Sequence, residues 1–166
     1  MLGAIAIGGN ESLAGRQKNA QVHFTREIRS HGLLATYAKV MGNRKLPGKV
    51  AVKLHSGEPG GHNYPDPTLI KNLVHSVGGT IVECNTAYPG KRFKTAEHKQ
   101  VLFDCGFAAI APVDIMDEPG SISLPLPNGK NIKENFIGPH PVNYDLFLIF
   151  SHFKGHALGG FGVCRG

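Results

Sequence analysis

The sequence predicts an α/β domain: a mostly parallel sheet with flanking helices and a β-hairpin insertion. Three observations carry that reading. Apolar segments of strand length recur at Lys49–His55, Thr80–Cys84 and Asp145–Phe150, and such segments bounded by turn residues are the mark of buried strands. The first two are separated by an amphipathic stretch, Pro67–Val77, which gives the strand–helix–strand alternation of a parallel sheet. The 22 Gly and 11 Pro among 166 residues argue for short elements joined by turns and against a helical bundle.

The elements follow in order. Residues 1–20 are Gly-rich without periodicity and are expected to be a disordered leader, leaving residues 21–166 as a single domain. Val22–Phe24 has the composition of a short strand. Ser30 is placed to cap a helix in which Leu33, Leu34, Tyr37 and Val40 recur at helical spacing until Gly42. Val50, Val52 and Leu54 alternate after the Leu46-Pro47-Gly48 turn, so Lys49–His55 is the clearest strand. A long Gly/Pro-rich loop then leads to the helix Pro67–Val77, with Leu69, Ile70, Leu73, Val74 and Val77 on one face and Gly78-Gly79 beyond it.

The strand Thr80–Cys84 is followed by the loop NTAYPGKRFK and by a helix for which Thr95 is the expected cap, with Glu97 in its first turn and Gly106 past its end. A strand is expected near Ala108–Ala111. Segments 121–126 and 130–136 flank Pro127-Asn128-Gly129, the signature of a hairpin. Asp145–Phe150 is an unbroken apolar run, as expected for a strand buried on both faces. A Gly-rich segment after such a strand ordinarily opens a helix, so the chain is expected to be the N-terminal part of a larger domain.

The formal charge is +6, from 18 Lys+Arg against 12 Asp+Glu. The basic residues are scattered, and the tightest cluster, Lys91, Arg92 and Lys94, reads as a solvated surface, which argues against nucleic acid as a partner. Cys84, Cys105 and Cys164 form no paired motif; their number and spacing suit a reducing, cytoplasmic setting, with Cys84 and Cys105 as buried structural thiols. No segment has the length of a membrane span or the layout of a secretion signal.

Chemistry-bearing residues gather after the strands. His55, Glu58 and His62 follow the first; Asn85, Thr86 and Tyr88 follow the second; His152, Lys154 and His156 follow the last. In a parallel sheet these loops share one edge, where open α/β sheets bind ligands. His55, His62, His152 and His156 are the candidate ligands of a transition metal, because neutral imidazole suits such ions. Lys53, Glu58, Asn85, Thr86 and Lys154 are the candidate contacts for an anionic small molecule or cofactor, with Lys154 as the cation beside Gly-rich backbone.

The runs KVAVKLHSGEPGGHNY, IVECNTAYPGKR, APVDIMDEPGSISLP and FSHFKGHALGGFG, in this order and spacing, resemble the domain-of-unknown-function family 362 over roughly residues 21–162. The resemblance implies an α/β fold and no settled reaction. Many members of that family carry a later ferredoxin-like set of cysteines. Here Gly162 is followed by Val163-Cys164-Arg165-Gly166, so no iron–sulfur cluster is expected in this chain. A non-catalytic interaction module that associates through an open sheet edge, with itself as a homo-oligomer, is the expectation from the other functional class.

Overall fold

The computed structural model describes residues 21–42, 44–151, 155–156 and 160–161. Among the described residues three α-helices are formed, α1 (Ser30–Met41), α2 (Pro67–Ser76) and α3 (Thr95–Asp104). The strands are β1 (Val50–Lys53), β2 (Thr80–Glu83), β3 (Val113–Ile115), β4 (Ile122–Pro125), β5 (Glu134–Ile137), β6 (Leu146–Ile149), β7 (Gly155–His156) and β8 (Gly160–Phe161). A four-stranded sheet has the order β3-β2-β1-β6, with every neighbouring pair parallel. The pairs β4–β5 and β7–β8 are antiparallel.

Register and pleat divide the sheet into two faces. Val52 lies opposite Ile81 on one side and Leu148 on the other, and side chains two apart along a strand share a face. Val50, Val52, Leu54, Ile81, Ile115, Leu148 and Phe150 therefore meet Leu33 of α1, Ile70, Leu73 and Val74 of α2, and Leu102 of α3 in the main core. The spacing of 70, 73, 74 and 77 puts the apolar stripe of α2 on the sheet. Asp66 fixes its start by accepting the Thr68 N–H at 2.7 Å, and Pro67 occupies the first turn, where no donor is needed.

The opposite face is smaller. Ala51, Val82 and Met116 are buried there with Cys84, Tyr144 and Phe147 against them. A 3-10 turn at His140–Asn143 leads to Tyr144 on this face, and Asp114 ties the segment down by accepting from the Tyr144 hydroxyl at 2.8 Å and meeting His140 Nδ1 at 2.7 Å.

Several expectations are corrected. Val22–Phe24 forms no strand; Val22 and Phe24 are 77% and 71% exposed, and a strand with no paired neighbour has nothing to hold it. Ser30 and Thr95 are the first helical residues rather than caps: Arg29 and Lys94 hold the cap positions without side-chain capping bonds. The Ser30 hydroxyl oxygen is buried without a partner among the described residues, and Thr95 instead accepts a hydrogen bond from Asn85.

The strand expected at Ala108–Ala111 is a 3-10 turn, Phe107–Ala109, and β3 follows it. Gly106, with φ +84°, reverses the chain, and fully buried Phe107 anchors the turn in the core. The ladder then begins at Pro112, whose carbonyl accepts from Ile81 N–H at 2.9 Å.

The hairpin forms where the sequence places it, with Ser123 opposite Phe136. Its loop runs from Leu126 to Lys133, closed by a 2.7 Å bond from Leu126 N–H to the Lys133 carbonyl, and is not a two-residue turn. Among the described strands β6 is at an edge; only Leu148 is buried, so this strand is covered less than its composition suggests. The expected leader at residues 1–20, and Cys164, lie outside the described residues.

Candidate functional site

β1 leads through α2 to β2 on one side, whereas β6 lies on the other side of β1. The strand order thus reverses between β1 and β6, and the crevice outside the carboxyl ends of such strands is where open α/β sheets receive ligands. The loop after β1 carries Leu54–Gly61 to that edge, and the turn after β2 carries Cys84 and Asn85.

A polar network lies under this edge. Glu83, the last residue of β2, is 2% exposed and accepts the Ser56 backbone N–H. Burial pushes its pKa up, with the Ser56 N–H pulling the other way. Arg92, in the loop before α3, has its Nη1 4.0 Å from Glu83 Oε1, and its Nε and Nη2 both donate to Glu58 Oε1, the former at 3.0 Å. The hydrogen bond and charge of Arg92 hold Glu58 below its ordinary pKa, against a smaller opposing effect of burial.

His98, on the inner side of α3, is fully buried. Its Nδ1 is 3.3 Å from Asn85 Oδ1, and its Nε2 is 3.5 Å from Ser56 Oγ. Asn85 Nδ2 donates to Thr95 Oγ1 at 2.9 Å, so its carbonyl faces the imidazole. Nδ1 therefore carries the proton and Nε2 accepts from the serine. Burial and then the Arg92 charge push the His98 pKa down to about 4, so the ring is neutral at pH 7. Ser56 is itself fully buried, so the serine–imidazole–amide chain is a scaffold beneath the crevice and not an exposed nucleophile. The Asp117 carboxylate, just past β3, accepts the Asn85 backbone N–H at 2.9 Å and locks the β2 end to the β3 end.

Among the residues expected at the site, Glu58 and Asn85 belong to this network. Thr86 pins the 86–92 loop: its N–H donates to the Arg92 carbonyl and its hydroxyl to the Tyr88 carbonyl, each at 2.9 Å. His55 Nδ1 accepts the Gly57 N–H at 3.0 Å, which orients the ring along its own loop. Gly57 sits at φ +89°, and a Cβ there would collide with the Tyr64 ring, so the turn requires glycine. Lys53 ends β1, half-buried on the face opposite Glu83 and flanked in register by Val82 and Ile149. His62 is exposed in the loop. His152 and Lys154 lie outside the described residues; the backbone of His156 pairs with Gly160 in the small ribbon. Among the described residues no group of three or more His, Cys, Asp or Glu is placed to hold a metal ion.

Sequence reading missed Ser56, Glu83, Arg92, His98 and Asp117. His98 was open to detection, because it precedes buried Val101 and Leu102 by three and four positions on one helix face. Glu83 shares the parity of Ile81 and so had to face the core. Arg92 gave no signal that separated it from Lys91 and Lys94.

Cavities open beside several of these elements among the described residues. One of about 170 Å³, lined by Pro59, Lys91, Glu97, Gln100, Val101 and Asp104, lies against the immediate neighbours of the Glu58–Arg92 pair. A second, of about 570 Å³, lies between the ends of β2 and β3 and the hairpin, with Cys84, Asp117 and Phe136 in its wall. Burial pushes the Cys84 thiol up to about 11, which makes it a poor nucleophile at neutral pH. A third, about 450 Å³, is at the other end of the sheet between α1 and α2, near Arg44 and Lys45. No helix of the described residues is long and apolar enough to cross a membrane.

Fold and site together define an open α/β-sheet domain with a polar network at its strand-end crevice. The family model of a domain of unknown function, DUF362, matches residues 50–165, well over half of the chain, and the chain belongs to that family. No curated protein and no solved structure matches it.

Proposed function

We propose that this domain binds an anionic small molecule, substrate or cofactor, in the crevice at the carboxyl ends of β1 and β2. The observation that carries this reading is the convergence of the loop after β1, the Asn85 turn and the Arg92 loop on the edge where the strand order reverses. Lys53 supports it, since it brings a cation to the end of β1 beside β6. The buried Ser56–His98–Asn85 chain supports it differently, by holding these loops in one arrangement before a ligand arrives.

Thermal unfolding with small anions tests the reading. Citrate or inorganic phosphate at about 100 times its Kd stabilises the fold by about 2.7 kcal/mol. That corresponds to a rise in Tm of roughly 5–11 °C for a chain of this size. Glucose and spermidine serve as neutral and cationic controls, and Lys53→Ala lowers the shift. Equal shifts with the controls, or none with any anion, would overturn it.

The hairpin favours a second reading, an interaction module. Ile122, Leu124, Ile132 and Phe136 are 39%, 44%, 56% and 64% exposed, so β4, β5 and their loop present apolar side chains to solvent. Self-association through it predicts a sedimentation coefficient that rises with concentration and is lowered in a Phe136→Ser variant. A constant value would remove this reading.

A further inference from the structure

We propose that Arg92 is the oxyanion anchor of the crevice and that Glu58 is its built-in stand-in, displaced when the carboxylate or phosphate group of a ligand takes its place. This rests on the crevice reading above and names the group the site recognises.

The asymmetry of the ion pair is the first argument. The Arg92 side chain is 7% exposed and that of Glu58 is 51% exposed, so a buried cation is covered by a carboxylate standing half in solvent. A buried guanidinium needs a negative partner, and removal of that partner without replacement is costly. An incoming oxyanion supplies the replacement.

The second argument is the way the fork is filled. Both Nε and Nη2 donate to the same oxygen, Glu58 Oε1. The guanidinium edge that matches two oxygens of a carboxylate or phosphate receives one. A ligand with two oxygens on that edge gains a contact that Glu58 does not make.

The third argument is what moves and what does not. Arg92 is held by the bond from Thr86 N–H to its carbonyl, and its inner Nη1 faces Glu83, whose burial favours the neutral acid. Glu58 lies in an irregular loop between Gly57 and Gly60, both at positive φ. Its side chain can swing into water while the arginine stays.

Calorimetric titration of the full chain with inorganic phosphate, at low salt and pH 7.5, tests the proposal. Glu58→Gln and Glu58→Ala tighten the Kd for phosphate about tenfold, the scale of one charge-assisted hydrogen bond no longer to be displaced. Arg92→Lys weakens it about tenfold or more, because an ammonium group offers no fork. Urea unfolding of each variant confirms that it is folded. Unchanged or weaker binding in both folded Glu58 variants overturns the stand-in role. Phosphate binding that persists in Arg92→Lys but falls in Lys53→Ala overturns the anchor and leaves the crevice reading intact. Absence of binding in all of these proteins overturns both.

Discussion

The buried imidazole of His98 makes the sharpest quantitative claim about the interior of this domain. Its pKa is pushed down to about 4 from an ordinary 6.5, first by burial and then by the Arg92 charge, with Asp117 and Glu58 pulling weakly the other way. The unfolded chain therefore takes up a proton near pH 6.5 that the folded chain refuses. Stability from this residue is complete above pH 6.5 and is lost as pH falls towards 4, with a slope of at most about 1.4 kcal/mol per pH unit.

Across that window the shift is worth about 3 kcal/mol, at about 1.36 kcal/mol per unit. Glu83 acts with the opposite sign, since a raised carboxyl pKa gives stability at low pH that disappears as pH rises. The difference between wild type and His98→Gln isolates the histidine. Urea unfolding followed by circular dichroism from pH 7.5 to 4 should give a constant difference down to about pH 6.5, then a narrowing by about 3 kcal/mol as pH reaches 4. A difference that stays flat throughout would mean that His98 titrates like a solvated imidazole, and would refute the buried chain from Ser56 to Asn85.

Other consequences are simpler to measure. Phe107 is fully buried and meets the Tyr64 ring at 5.8 Å, so Phe107→Ala should cost about 3–5 kcal/mol in chemical denaturation. Tyr144→Phe removes the hydroxyl that donates to Asp114; it should cost about 1–2 kcal/mol and speed amide exchange in residues 140–144. Dialysis against EDTA should leave phosphate affinity unchanged, because Arg92 and Lys53 supply the positive charge. A loss restored by a divalent ion would move the site to the histidines at 55, 62, 152 and 156.

Much of the architecture was legible because strand and helix periodicities differ. Val50, Val52 and Leu54 alternate while Ile70, Leu73, Val74 and Val77 follow helical spacing, and both patterns became the elements they implied. Ends were less legible. Ser30 and Thr95 have capping chemistry, yet the helices start one residue earlier in register than a cap requires, because tertiary partners such as Asn85 compete for the hydroxyl. The turn at Phe107–Ala109 replaced a strand because one buried aromatic ring outweighs the local preference of three small neighbours.

The candidate site was legible as a place more than as a set of groups. Loops after parallel strands must share an edge, so Glu58 and Asn85 could be paired with one region from sequence. Arg92 could not, since burial of a guanidinium depends on Glu83 and Glu58, 9 and 34 positions away. Pairings of that kind become visible only when the strands are aligned.

Amide chemical-shift mapping with inorganic phosphate tests the central claim most directly. Binding at the strand-end crevice predicts saturable shifts at Ser56–Gly61, Asn85, Thr86 and Arg92–Phe93, with α1 and the amino ends of the strands unmoved. Shifts confined to Arg44, Lys45 and Val77, beside the cavity at the opposite end of the sheet, would contradict it.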